Sequence, residues 1–155
     1  MPKVLLAESL AKKVALDYPD VQFVEASRFA WHAGKRQVSY QTSGKQHELA
    51  LLHELGHALL GHAAYTHDIA LVQLELAAWE KARALAKDYG VMFDEDYVQD
   101  CLDTYRDWLH LRATCPTCFG RSLQANIQQY HCFNCQTEWN VSRSRLCRPY
   151  RLKTS

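Results

Sequence analysis

An α+β fold is what this sequence predicts, on three observations. Proline-free runs rich in Leu and Ala fill its middle, short β-prone segments flank a turn near its start, and two paired-cysteine turns stand near its end. The 155 residues are 48% hydrophobic and 23% charged, with 6 Gly and 4 Pro. That composition suits one compact domain with a small appended module, and it excludes a disordered, fibrous or large multidomain chain. No stretch approaches the ~18 apolar residues of a spanning helix. The N-terminal VLLAESLAKKVAL is interrupted by Glu8, Lys12 and Lys13 before it could form a signal-peptide core. The expectation is a cytoplasmic protein with no membrane partner.

Residues 3–18 place Val4, Leu5, Leu10, Val14 and Leu16 at helical spacing, ending before Tyr18-Pro19, where proline restricts the chain. Val21–Val24, Arg28–His32 and Gln37–Tyr40 read as two or three antiparallel strands around the turn at Ala33-Gly34-Lys35. Residues 46–60, QHELALLHELGHALL, form a largely buried helix. A second long helix spans 69–89 and stops at Gly90, and a third spans 94–112 with Asp94 as its N-cap. Helix formers then give way to Cys, Gly, Asn and Gln. The domains are accordingly 1–112, a small cysteine module over 113–140, and a basic tail over 141–155.

Within the central helix stands His53-Glu54-Leu55-Gly56-His57. At about 100° per residue, positions i and i+4 lie about 40° apart, so both imidazoles can face one metal ion. Glu54 beside them is placed to act on a water held there. A catalytic zinc needs a third protein ligand and an open position for water. Glu75 is the choice, eighteen residues after His57 and on the next helix. Glu80 is its competitor, but five residues apart, about 140° round the helix, the two do not face one metal. His62 and His67 are alternative ligands, reached only if Gly61 ends the helix and redirects the chain. The five-residue step from His57 to His62 is one shorter than the metzincin pattern.

HELGHALLGH followed by LELAAWEKARALA resembles the ImmA/IrrE family of zinc metallopeptidases, in which an HExxHxxLxH-type helix precedes a helix bearing an E-x-E-A-type motif. Glu75 matches the first acidic position and Ala78 the alanine, whereas Ala77 stands where the second acid is expected. The resemblance covers roughly residues 20–90. It implies a compact zincin-like domain with a gluzincin-like ligand set, Glu75 completing the site, and cleavage of specific intracellular repressors. An HExxH domain followed by a four-cysteine ribbon also resembles the SprT-like proteases of DNA-bound proteins, for whose third ligand His67 is the nearby histidine.

Cys115-x2-Cys118 and Cys132-x2-Cys135 are separated by the thirteen residues 119–131. Each CxxC turn presents two thiolates to one tetrahedral Zn²⁺, so the module reads as a structural zinc ribbon whose metal supplies most of its folding energy. Metal-bound thiolates fit a reducing compartment. Cys101 and Cys147 are left over. The formal net charge of +1 is uneven. Residues 112–155 carry seven cations against Glu138 alone, +6, while the remainder carries eleven cations against sixteen acids, −5. The basic segment, with Phe119, Arg121, Tyr130, Phe133 and Trp139, has the mixture that single-strand DNA or RNA binders use. Protein docking and simple structural packing are its alternatives.

The function expected is a two-zinc endopeptidase that cleaves an intracellular protein. One zinc is catalytic, on His53, His57 and Glu75 with Glu54 as general base, and one is structural, on Cys115, Cys118, Cys132 and Cys135. Tyr40 and Tyr65 are possible oxyanion donors. The alternatives are the SprT-like protease and a non-catalytic zinc-containing nucleic-acid-binding or adaptor protein.

Overall fold

A computed structural model of the chain describes residues 9–142 and 151–154. Val4, Leu5, Arg143, Arg145, Cys147 and Arg148 lie outside them. The described residues form four helices and two sheets, the mixed α+β class that the sequence predicts.

Helix α1 spans Leu10–Asp17, with Ser9 capping it by accepting a hydrogen bond from the Lys12 N–H. It ends at Tyr18, before the proline, and buries Leu10 and Val14. Strands β1 (Gln22–Glu25), β2 (Ala30–His32) and β3 (Gln37–Tyr40) form one sheet in the order β1-β3-β2. Only β2 and β3 pair antiparallel; β1 runs parallel to β3. The antiparallel expectation for all three is thereby corrected. A tight turn at Ala33–Lys35 makes a hairpin of β2 and β3, and β1 takes the free edge of β3, the chain between them, which includes β2, serving as the crossover that a parallel pair needs.

Helix α2 spans His47–Leu59 and buries Leu49, Leu52 and Leu55. Gly61 follows it at φ +66, and the His62 N–H bonds back to the His57 carbonyl. That six-to-one bond is a Schellman ending, which needs a residue tolerant of positive φ. Gly90 (φ +68) ends α3 (Asp68–Tyr89) in the same way, through the Val91 N–H and the Ala86 carbonyl. Along α3 the buried residues Asp68, Val72, Glu75, Trp79, Ala82 and Ala86 recur at steps of four and three, one continuous helix face. Helix α4 spans Glu95–Ala113, with Asp94 at the preceding position accepting a bond from Gln46.

The cysteine module holds β4 (Leu123–Asn126), β5 (Gln129–His131), β6 (Glu138–Val141) and β7 (Arg151–Lys153) in one antiparallel sheet, ordered as in the chain. Residues 151–153, read as part of a basic tail, are thus an edge strand paired with β6. The chain divides into two compact units: the residues to Ala63 with Ala77–Asp94, and Ala64–Leu76 with the chain from Glu95 onward. This division falls elsewhere than the change in composition near Thr114. None of the described helices is long and apolar enough to cross a membrane.

Candidate metal centres

His53 and His57 lie one turn apart on α2, both buried. Their Nε2 atoms are 3.1 Å from each other. Two imidazoles bound to one tetrahedral zinc at about 2.0–2.1 Å would hold their nitrogens about 3.3 Å apart, so the pair is already spaced as ligands. Glu75 joins them: one ligand atom from each of the three lies within 4.8 Å of the others. Glu75 is only 5% exposed. A buried carboxylate facing two imidazoles is a donor set that suits a divalent cation, because a cation offsets the desolvation of the negative charge.

The close packing of α2 on α3 is set by small residues. A Cβ built on Gly56 would stand 2.7 Å from the Ala78 carbonyl oxygen, so glycine in the HELGH segment is what lets the helix backbones meet. Ala78 itself is fully buried. Its neighbour Trp79 stacks on His53, ring centroids 4.0 Å apart and 23° from parallel. Trp79 is a site residue that sequence reasoning missed. The signal lay in its spacing, four residues after Glu75 and hence on the same face.

His62 does not join the ligand cluster. The Schellman ending returns it to His57, where the two Nδ1 atoms lie 2.9 Å apart, and Trp31 Nε1 donates to the His62 carbonyl at 2.8 Å. The expected alternative ligand instead contacts the ring of a candidate ligand, as partners of metal-bound histidine commonly do. His67 is exposed and bonds Thr66. Glu80 is exposed, 3.6 Å from Arg83. Ala77 is also exposed, so an acid at that position would face solvent. Glu54 is half-buried beside His53. Tyr40 is on β3, and burial, with Glu25 adding to it, raises its pKa; Tyr65 is half-buried in the turn before α3.

The four cysteines form the second cluster, their sulfurs within 4.8 Å of one another. Across the two turns, Cys115 Sγ lies 3.5 Å from Cys135 Sγ and Cys118 Sγ 3.5 Å from Cys132 Sγ. Tetrahedral zinc at about 2.3 Å sets sulfurs about 3.8 Å apart, so the four are placed as one ligand set. The two turns repeat one geometry. Phe119 N–H bonds the Cys115 carbonyl and Gln136 N–H the Cys132 carbonyl, with Phe119 and Gln136 at φ +63 and +64. This directs backbone N–H groups at the sulfurs. The Cys135 N–H and the Ser122 hydroxyl lower Cys132 to about 6, overcoming its burial. Burial pushes Cys115 up, but the Cys118 and Thr117 N–H groups outweigh it and leave the thiol below its ordinary value. Chain geometry thus favours the thiolate, the form a metal binds, at Cys132 and Cys115, while Cys118 lies above its ordinary value.

Arg112, counted above among the cations of the basic segment, is 2% exposed and bound to Asp68, Nε to Oδ2 at 2.7 Å. Tyr130 donates to the same carboxylate at 2.6 Å, and its ring stacks on Trp139, whose Nε1 donates to the Arg112 carbonyl. Burial, with Asp68 adding to it, holds the Tyr130 hydroxyl protonated far above its ordinary range. Arg112, Tyr130 and Trp139 are therefore internal packing. Phe119 and Phe133 are exposed.

The chain was compared with protein-family models, curated proteins and solved structures. None of them matches it.

Proposed function

We propose that the chain is a zinc-dependent endopeptidase of zincin-like fold, acting in the cytoplasm on a protein substrate. The observation that carries this reading is the convergence of His53, His57 and Glu75 within 4.8 Å, with Glu54 next to His53 in the chain. His53, His57 and Glu75 would hold a zinc ion, which would supply Lewis acidity to water and to the scissile carbonyl. Glu54 takes the proton of the attacking water and returns it to the leaving amine. Trp79 and His62 hold the rings of His53 and His57 in register. The four-cysteine cluster takes a second, structural zinc. The resemblance to ImmA/IrrE peptidases supports the reading through residues that converge here, His53, His57 and Glu75, and points to a repressor as substrate.

The test is incubation of candidate repressors and DNA-bound proteins with the native chain and with Glu54→Gln. Glutamine keeps size and hydrogen bonding but accepts no proton at neutral pH. Both zincs should remain while hydrolysis falls about 10²-fold or more. Cleavage by the variant at the native rate would remove Glu54 from the mechanism.

A further inference from the structure

A groove of 690 Å³ lies among α3, α4 and β4, wholly inside the second compact unit. Its floor is apolar: Ile69 and Val72 from α3, Leu109 from α4, Leu123 from β4. Ile69 is 53% exposed and Leu123 67%, so the groove is open to water along its walls. Exposed apolar residues gathered in one concavity mark a binding surface more than a structural need.

The polar residues of the groove have one charge character. Arg106, Arg121, His67 and His110 line it, and no Asp or Glu does. Arg106 shares one nitrogen with Asp103 and Gln99. Arg121 has no hydrogen-bonded or ion-paired partner among the described residues, although this stretch folds back through the Thr114–Arg121 bridge. The groove thus presents apolar contact and two guanidiniums, a set that calls for an occupant both apolar and anionic.

We propose that this groove docks an acidic amphipathic peptide segment of a partner protein, its apolar side on Ile69, Val72, Leu109 and Leu123 and its carboxylates on Arg106 and Arg121. A nucleic acid fits less well. Of Phe, Tyr and Trp, Tyr130 alone lines the groove, and it is 2% exposed with its ring stacked on Trp139, so base stacking would fall to the imidazoles of His67 and His110, while the exposed lining at Ile69 and Leu123 is aliphatic. An acidic helix or strand with spaced apolar residues matches both features. The proposal rests on the groove alone and is independent of hydrolysis.

The test uses the full chain and a fluorescein-labelled acidic peptide of about fifteen residues with Leu at helical spacing and Glu between, read by anisotropy. Saturable binding is expected, falling about tenfold or more in Arg121→Glu and in Leu123→Ser. Both positions are exposed, and retained metal content with unchanged circular dichroism will show that the variants fold. Ile69→Ser, on a different element, repeats the test if Leu123→Ser does not. Binding weaker than about 1 mM overturns the proposal. So does equal binding of a scrambled peptide or of one with Lys for Glu. Binding of laurate or of an oligothymidylate in place of the peptide, lost in the same variants, assigns the groove to a small amphiphile or to nucleic acid and equally overturns it.

Discussion

Glu75 and Glu80 differ by five residues and by almost everything else. Glu75 continues the stripe of Asp68, Val72, Trp79 and Ala82 and is buried against two imidazoles, while Glu80 meets solvent and Arg83. The stripe could be read from apolar spacing, and a carboxylate at one of its positions is the mark of a residue with a polar partner waiting. Glu75→Ala should empty the histidine site while the cysteine site keeps its metal, and Glu80→Ala should change neither, as measured by zinc content after dialysis. The reverse result would transfer the ligand role to Glu80. Gly56 shows the complementary limit. Its place inside HELGH was plain, but the 2.7 Å that separates its missing Cβ from the Ala78 oxygen depends on where α3 lies.

Helix and strand positions followed the local signals closely, because proline, glycine and capping act within a few residues. Gly61 and Gly90 end α2 and α3 by one mechanism, and α4 begins after Asp94. Pairing was less legible. The parallel β1–β3 contact joins residues fifteen apart, and nothing in either strand encodes its direction. The tie between α3 and α4 was also hidden. Asp68 opens one helix and Arg112 lies in the last turn of the other, each a common surface residue for its position, yet both are 2% exposed and bound at 2.7 Å. Breaking one side of a buried pair leaves the other charge stranded. Arg112→Met should therefore cost about 3–5 kcal/mol in urea unfolding, and Asp68→Leu in the same chain should recover part of it. An unchanged midpoint for Arg112→Met would show that water reaches Asp68 and that the pair is not sealed.

Among the described residues the two candidate metal sites draw on separate sets of side chains, histidines with a carboxylate and four cysteines. Two zinc ions per chain are expected from elemental analysis of purified protein. Cys115→Ser should lower the content by one and leave the histidine site filled. A native content near one, unchanged by Cys115→Ser, would withdraw the ribbon assignment. Charge at this scale was misleading in one respect. The +6 of residues 112–155 includes Arg112, which is spent on Asp68, and Arg151, which donates to the Thr114 carbonyl. Formal counts treat every cation as surface.

By itself the sequence determined the histidine pair and the four cysteines as candidate ligands, since the i,i+4 histidines and the CxxC turns are local geometries that any helix or turn reproduces. It also determined the limits of α2, α3 and α4, through residues whose backbone preferences act without distant partners, whereas the first helix, read over 3–18, begins only at Leu10, after Ser9 in extended conformation. Only the tertiary structure decided that Glu75 rather than His62, His67 or Glu80 completes the histidine site, that Trp79 covers His53, and that Arg112 is internal. Those outcomes depend on how closely one helix lies on another and on which face it turns. Such distances are set by packing between residues far apart in the chain, which no local preference contains.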